Sequence, residues 1–225
     1  MILLCLDTST RYSVVSIVQN SKLLWGERRL FEKGQSEGLF FLVRRGLKKT
    51  GFDLCDMTAF AAGRGPGSFT GLRIGLSVAK GFSFAFSRPV LAFSSLEAIA
   101  YNADTAGTKT VSVAVDARRG NVYSRLYRRN AKGEMVGLKR EALVPAPVWA
   151  SGIPADAVVA GDGVSTYGAE LKGKFAALEE SLWYPTPESI SRLALEAWRA
   201  GEKTDAEGLR AVYLYSRDCQ VKKTC

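Results

Sequence analysis

Histidine is absent from all 225 residues. Imidazole is the commonest transition-metal ligand and the usual general base near neutral pH, so chemistry resting on either is excluded. The four cysteines, Cys5, Cys55, Cys219 and Cys225, show no C-x-x-C spacing. Cys5 and Cys55 sit in apolar runs, and all four read as reduced, structural thiols. No apolar run approaches the length of a membrane span. The opening Ile2-Leu3-Leu4-Cys5-Leu6 is too short for a signal-peptide core and has no basic stretch before it. The expectation is a soluble, cytoplasmic chain that makes no membrane contact and carries no metal and no cofactor.

What is present supports an ordinary globular fold. A hydrophobic content of 47% is enough to build a core without disulfides or metals. Lysine and arginine number 31 against 22 acids, an excess that favours contact with a polyanion or with an acidic protein. The charges are scattered, with clusters at Arg28-Arg29, Arg44-Arg45-Lys48-Lys49, Arg118-Arg119, Arg128-Arg129 and Lys222-Lys223. A merely solvated basic surface fits the same pattern.

The hydrophobic pattern predicts a three-stranded antiparallel meander over residues 2–6, 12–18 and 22–30, then a helix from Ser36 that Gly51 stops. A buried strand at 57–62 feeds a glycine-rich loop, Gly63 to Gly67, which opens onto an apolar helix over 70–86. A strand at 90–93 and a helix capped by Ser94 follow, and the polar stretch 102–110 reads as a domain boundary. Beyond it, strands at 111–115 and 122–128 precede a turn and a third strand. A strand at 157–160 ends in Gly161-Asp162-Gly163, and a helix over 190–200 is closed by Gly201. Strand, aspartate, loop, strand, turn and strand thus occur twice, roughly 109 residues apart. The expected fold is α/β: two RNase H-like halves, 1–104 and 105–225, each a mixed sheet flanked by helices, with ligands in the cleft between them and the tail packing back on the first half.

Asp7 and Asp116 each end a first strand. Two acids facing one cleft suit a magnesium-bound phosphate, although aspartate is equally at home where a strand gives way to a turn. The run Gly63-Arg64-Gly65-Pro66-Gly67-Ser68-Phe69-Thr70-Gly71-Leu72-Arg73-Ile74-Gly75 is the most specific feature. Its glycines allow a sharp strand-to-helix turn, Ser68 or Thr70 can cap the helix, and the amides there either hold an anion or make a plain tight connection. It is not a Walker loop, because Gly-Lys-Ser/Thr is missing. Within the helix, Gly71, Gly75 and Ala79 recur at i, i+4 and i+8 beside Leu72 and Leu76. That pattern makes either a core helix or half of an interface, and Phe40 and Phe41 on the preceding helix extend apolar surface beyond its core stripe.

Together, Leu6-Asp7-Thr8-Ser9, the run Gly63 to Gly75, Asp116-Ala117-Arg118 with Gly120 and Val122-Tyr123, and Gly161-Asp162-Gly163 resemble the bacterial TsaB family, also called YeaZ. The resemblance covers nearly the whole chain. It implies an actin-like ATPase fold and membership of the machinery that forms N6-threonylcarbamoyladenosine next to the anticodon of ANN-decoding tRNAs. It also implies a non-catalytic subunit that pairs with a TsaD-like catalytic paralogue, works with a TsaE-like ATPase and dimerises with itself in isolation, with tRNA contact inside the complex. The TsaD-like role needs metal-binding histidines, which this chain lacks, as does the older glycopeptidase label of the wider superfamily. On this resemblance Asp7, Thr8, Ser9, Asp116, Gly161, Asp162 and Gly163 mark a vestigial nucleotide cleft, and Gly63, Gly65, Pro66, Gly67, Ser68 and Thr70 the glycine loop. Phe40, Phe41, Gly71, Leu72, Gly75, Leu76 and Ala79 would form the dimer interface. A small ATPase or phosphotransferase using the Asp7/Asp116 cleft is the competing expectation. The chain departs from the family's pattern at Gln35-Ser36-Glu37 and in the tail Ala211-Val212-Tyr213-Leu214-Tyr215.

Overall fold

A computed structural model describes residues 1–31, 34–103, 108–171 and 175–215. The expected boundary stretch lies partly outside them, and Cys219, Cys225 and Lys222-Lys223 lie wholly outside. The meander forms as β1 (Ile2–Asp7), β2 (Tyr12–Gln19) and β3 (Lys22–Leu30), followed by α1 (Gln35–Thr50), β4 (Ala59–Gly63), α2 (Phe69–Phe86), β5 (Val90–Phe93) and α3 (Ser95–Tyr101). The second half runs β6 (Thr110–Arg118), β7 (Asn121–Arg129), β8 (Met135–Gly137), β9 (Ala142–Pro145), α4 (Ala146–Ser151), β10 (Ala157–Ala160), α5 (Gly163–Tyr167), α6 (Pro187–Ala200) and β11 (Lys203–Thr204).

The first sheet has the order β11-β5-β4-β1-β2-β3 and the second β10-β6-β7-β8, with β9 also on β7. In each, a meander's first strand takes a parallel partner on its other edge, β4 on β1 and β10 on β6. The duplication read from sequence is therefore a duplication of pairing.

Three apolar layers hold the sheets. Leu4, Leu6, Val15 and Ile17 point from the first sheet to α1 and α2, joining Leu39, Leu42, Leu76 and Ala79. From its opposite face Leu3, Cys5 and Val14 meet α3, α6 and the inner face of the second sheet at Val111, Val113 and Val115. Ala114 and Val122 pack outward on Trp149 and Val164 of α4 and α5. A strand covered on both faces must be apolar at consecutive positions, which is why β1 reads as an unbroken run. Sequence position and packing diverge at the end of the chain: α6 packs on β5, β2 and β1, and β11 extends the first sheet. Cys5 is buried while Cys55 is exposed. Cys55 lies in a short 3₁₀ turn, Leu54–Asp56, with no buried residue, so it does not serve as a core thiol. No helix among the described residues is long and apolar enough to cross a membrane.

Candidate functional site: the cleft between the sheets and the outer face of the first

Asp7 ends β1 with only 1% of its surface exposed. Ser9 donates to its Oδ1 twice, from the amide at 2.9 Å and the hydroxyl at 2.7 Å. The Ser95 hydroxyl donates to Oδ2 at 2.7 Å. Burial raises the pKa of the carboxyl above its ordinary range, although these serines pull the other way. Both oxygens are engaged, and Gly63 lies so close that a Cβ there would overlap Oδ2. A magnesium-bound phosphate does not fit this residue.

The glycine loop is likewise satisfied from within. The Arg64 amide donates to the Phe93 carbonyl at 2.9 Å, the Gly65 amide to the Ser95 hydroxyl at 3.2 Å, and the Ser68 amide to the Ser9 carbonyl at 2.7 Å. Ser68, not Thr70, caps α2, its hydroxyl accepting from the Gly71 amide at 3.2 Å. Of the two readings of this loop, the tight strand-to-helix connection accounts for these bonds.

Asp116 is different. It lies two residues before the end of β6, keeps 13% of its side chain exposed and pairs at 3.5 Å with Arg118. Its Oδ1 accepts from the Arg118 amide at 2.8 Å and the Tyr167 hydroxyl at 3.1 Å. Asp162, after β10, accepts from the Asp116 amide at 2.9 Å. Burial raises the pKa of Asp162, and the Asp116 charge adds to it, while the Asp116 amide, Arg11 and Arg118 oppose. Gly161 and Gly163 crowd the Ala114 carbonyl and set the turn that presents Asp162.

Between these loops lies a cleft of 670 Å³ whose wall includes Ser9, Thr10, Asp116, Asp162, Thr166 and Tyr184. Thr8 does not enter it: its hydroxyl donates to the Gly71 carbonyl at 2.7 Å. Two clasps flank the cleft. Arg11 lies 4.8 Å over the Tyr184 ring and pairs with Glu180 at 3.2 Å, while Arg28 donates to the Ser181 carbonyl at 2.8 Å. Opposite, Leu209 is buried against the first sheet and the Val212 amide donates to the Arg64 carbonyl at 2.8 Å. Tyr215 crosses over, its hydroxyl donating to the Ala117 carbonyl at 2.9 Å. Sequence reasoning missed Ser95 as the hydroxyl that seals Asp7, and Arg11, Tyr184 and Tyr215 as wall or clasp residues. Only the departure of the tail from the family's pattern pointed toward Tyr215.

On the outer face of the first sheet the expected interface needs correction. Gly71, Leu72, Gly75, Leu76 and Ala79 are buried within the chain itself. Gly71 and Gly75 seat α2 against the 7–10 loop, where a Cβ would overlap the Thr8 carbonyl oxygen and hydroxyl respectively. The small-residue stripe serves this helix-to-loop approach, not a groove for another molecule. Phe40 and Phe41 are each 47% exposed, and Phe40 meets Phe82 edge-on at 6.3 Å. A groove of 690 Å³ runs between α1 and α2, lined by Phe40, Phe69, Arg73, Ile74, Val78 and Phe82. Among the described residues no group of three or more cysteine, aspartate or glutamate side chains could hold a metal ion.

Two linked meander-and-parallel-strand sheets with a cleft between them define the actin-like ATPase fold. An activator of 2-hydroxyisocaproyl-CoA dehydratase from Clostridium difficile, solved with bound ADPNP, shares it with a TM-score of 0.51 at 11% identity over 90% of this chain and 96% of its own. YeaZ from Pseudomonas aeruginosa superposes with a TM-score of 0.85 at 36% identity, covering 95% of this chain and 99% of that one. Residues 30–145 match the family described as "TsaD: tRNA N6-adenosine threonylcarbamoyltransferase". The Escherichia coli tRNA threonylcarbamoyladenosine biosynthesis protein TsaB is 34% identical over 64% of this chain and 62% of its own length. Its Bacillus subtilis namesake is 31% identical over 56% and 55%. The chain belongs to the TsaB (YeaZ) family, and its match spans less than two thirds of either of these two relatives.

Proposed function

We propose that this chain is a non-catalytic subunit of the assembly that forms N6-threonylcarbamoyladenosine next to the anticodon of ANN-decoding tRNAs. The observation that carries the reading is kinship with proteins named for that biosynthesis in a chain without a single histidine. The engaged Asp7 carboxylate and the internally bonded glycine loop weigh against the competing ATPase reading, although Asp116 still faces the cleft. The pairing surface for a TsaD-like catalytic subunit, or for a second copy in its absence, is the apolar groove between α1 and α2, centred on Phe40 and Phe82. A TsaE-like ATPase would supply nucleotide turnover, and the cytoplasm, where tRNA is modified, is the compartment this role requires.

The test is threonylcarbamoyl transfer to an unmodified tRNA by the cognate TsaD-like and TsaE-like proteins, with and without this chain. Product that forms only when the chain is present, with no ATP hydrolysis by the chain alone, is expected. Undiminished transfer without it, or magnesium-dependent turnover by the chain alone that Asp116→Asn removes, would overturn the reading.

A further inference from the structure

Toward its carboxyl end α1 carries a second hollow, of 820 Å³, lined by Phe41, Arg44, Arg45, Leu47, Lys48 and Phe52. Arg44, Arg45, Lys48 and Lys49 are all exposed and share one face by their i, i+4 spacing. Arg29 on the neighbouring strand β3 lies 5.4 Å over the Phe41 ring. Carboxylates near these five cations include Glu27, which holds Arg45 at 3.2 Å, and Asp53 at the rim, whose amide donates to Asp56 at 2.8 Å. Among the described residues Arg44, Lys48 and Lys49 make no ion pair.

We infer that this shelf is a nucleic-acid contact, with Arg44 and Lys48 meeting successive phosphates of an RNA strand and Phe41 offering an aromatic face to a sugar or base. The inference rests on the proposed role in tRNA modification and names the surface through which this chain would touch that substrate. Three features favour RNA over an acidic protein segment. Arg44 and Lys48 are four residues apart, about 6 Å along the helix axis, a spacing suited to consecutive phosphates. Their charges are held on a helix and make no ion pair among the described residues. The floor between them is aromatic and aliphatic, the combination that takes single-stranded or looped RNA by stacking beside a basic track. Lys48 and Lys49 also complement the carboxyl end of the helix dipole, but Arg29 and Arg44 lie outside that last turn and need another reason to gather there. Arg44 and Lys48 follow Phe40 at i+4 and i+8 along α1, so the shelf borders the Phe40 groove.

Fluorescence anisotropy of a labelled, unmodified tRNA transcript decides the matter, titrated with the full chain alone and with its complex with the TsaD-like protein across a salt series. Arg44→Gln/Lys48→Gln should weaken binding by about tenfold or more near 0.1 M salt. It should also reduce the slope of log affinity against log salt by about 1.4 to 1.8, the loss of two phosphate contacts at about 0.7 to 0.9 each. The charge-matched Lys132→Gln/Lys139→Gln, at exposed positions around β8 in the second sheet, should change affinity less than about twofold. Equal losses in both variants, or no salt-sensitive binding by chain or complex, overturn the inference. So does a shelf variant that loses the partner protein while keeping tRNA. Light scattering of the complex keeps the two readings apart: an assembly that forms and transfers threonylcarbamoyl normally with the shelf neutralised sinks the shelf and leaves the proposed function standing.

Discussion

Asp7, the last residue of β1, and Asp116, two residues before the end of β6, lie toward the ends of the first strands of two meanders that each have a parallel neighbour, yet they have become different objects. Asp7 is sealed under Ser9 and Ser95 and ties β1 to the start of α3. Asp116 lies at the cleft wall, paired with a largely exposed arginine and reachable from solvent. The same topology therefore offers an acid to the cleft twice, and the side chains that fold over it determine whether it can meet a ligand. In the first half small hydroxyl residues close over the carboxylate. In the second, Arg118 and Arg119 adopt left-handed backbone and carry the hairpin tip outward.

The sharpest way to break this comparison is to truncate each acid in turn. Asp7→Ala leaves three buried donors without an acceptor and should cost about 3 kcal/mol or more in urea unfolding, while Asp116→Ala, which loses a pair with an exposed arginine and two hydrogen bonds whose donors lie near solvent, should cost about 1 kcal/mol. Equal costs would show that the two sites are structurally equivalent after all. Next in size, Gly75→Leu should destabilise the isolated chain by about 2 to 3 kcal/mol, because overpacking pushes α2 off the Thr8 loop. A mutant that melts like wild type but loses its partner would restore the small-residue stripe as an interface.

A smaller effect comes from the layer between the sheets, where Glu97 of α3 is pushed up to about 7 by burial, against the pull of Arg125. A carboxyl with a raised folded pKa binds its proton more tightly in the folded state. Stability is therefore highest at low pH and falls as pH rises from the unfolded value toward 7. Glu97→Gln should flatten that fall between pH 4.5 and pH 8. It should also raise stability at the upper end by about 1 to 2 kcal/mol, less than the full linkage value because neighbouring charges relax. Melting temperatures across the pH series read it directly, and parallel curves for the two proteins would refute it. Least of all, Tyr215→Phe removes one hydroxyl that spans the cleft and should cost about 0.5 to 1 kcal/mol, visible as faster hydrogen exchange in the Ala117–Asn121 loop. Unchanged exchange there would mean that the tail does not hold the second half.

Much of this was legible in the chain. The meander, the duplicated strand-and-aspartate pattern and the glycine caps of α1 and α6 were readable because they depend on alternation, run length and residues tolerant of positive φ. The interface was misjudged for a physical reason. A stripe of small residues on a helix announces that something approaches closely, but periodicity cannot say whether that is another chain or the backbone of the same one. The capping partner of α2 was ambiguous for a similar reason, since Ser68 and Thr70 carry equivalent hydroxyls and only geometry distinguishes them.

The sequence by itself determined the class of fold, the family and the exclusion of histidine chemistry, because those follow from local pattern and from residue types simply being absent. Only the tertiary structure decided that Asp7 is sealed and Asp116 open, that the tail crosses the cleft, and that Gly71 and Gly75 face inward. These are contacts between residues distant in the chain, such as Asp7 with Ser95 and Tyr215 with Ala117. They depend on how two twisted sheets and their crossing helices come to rest against one another, and no local pattern encodes that distance.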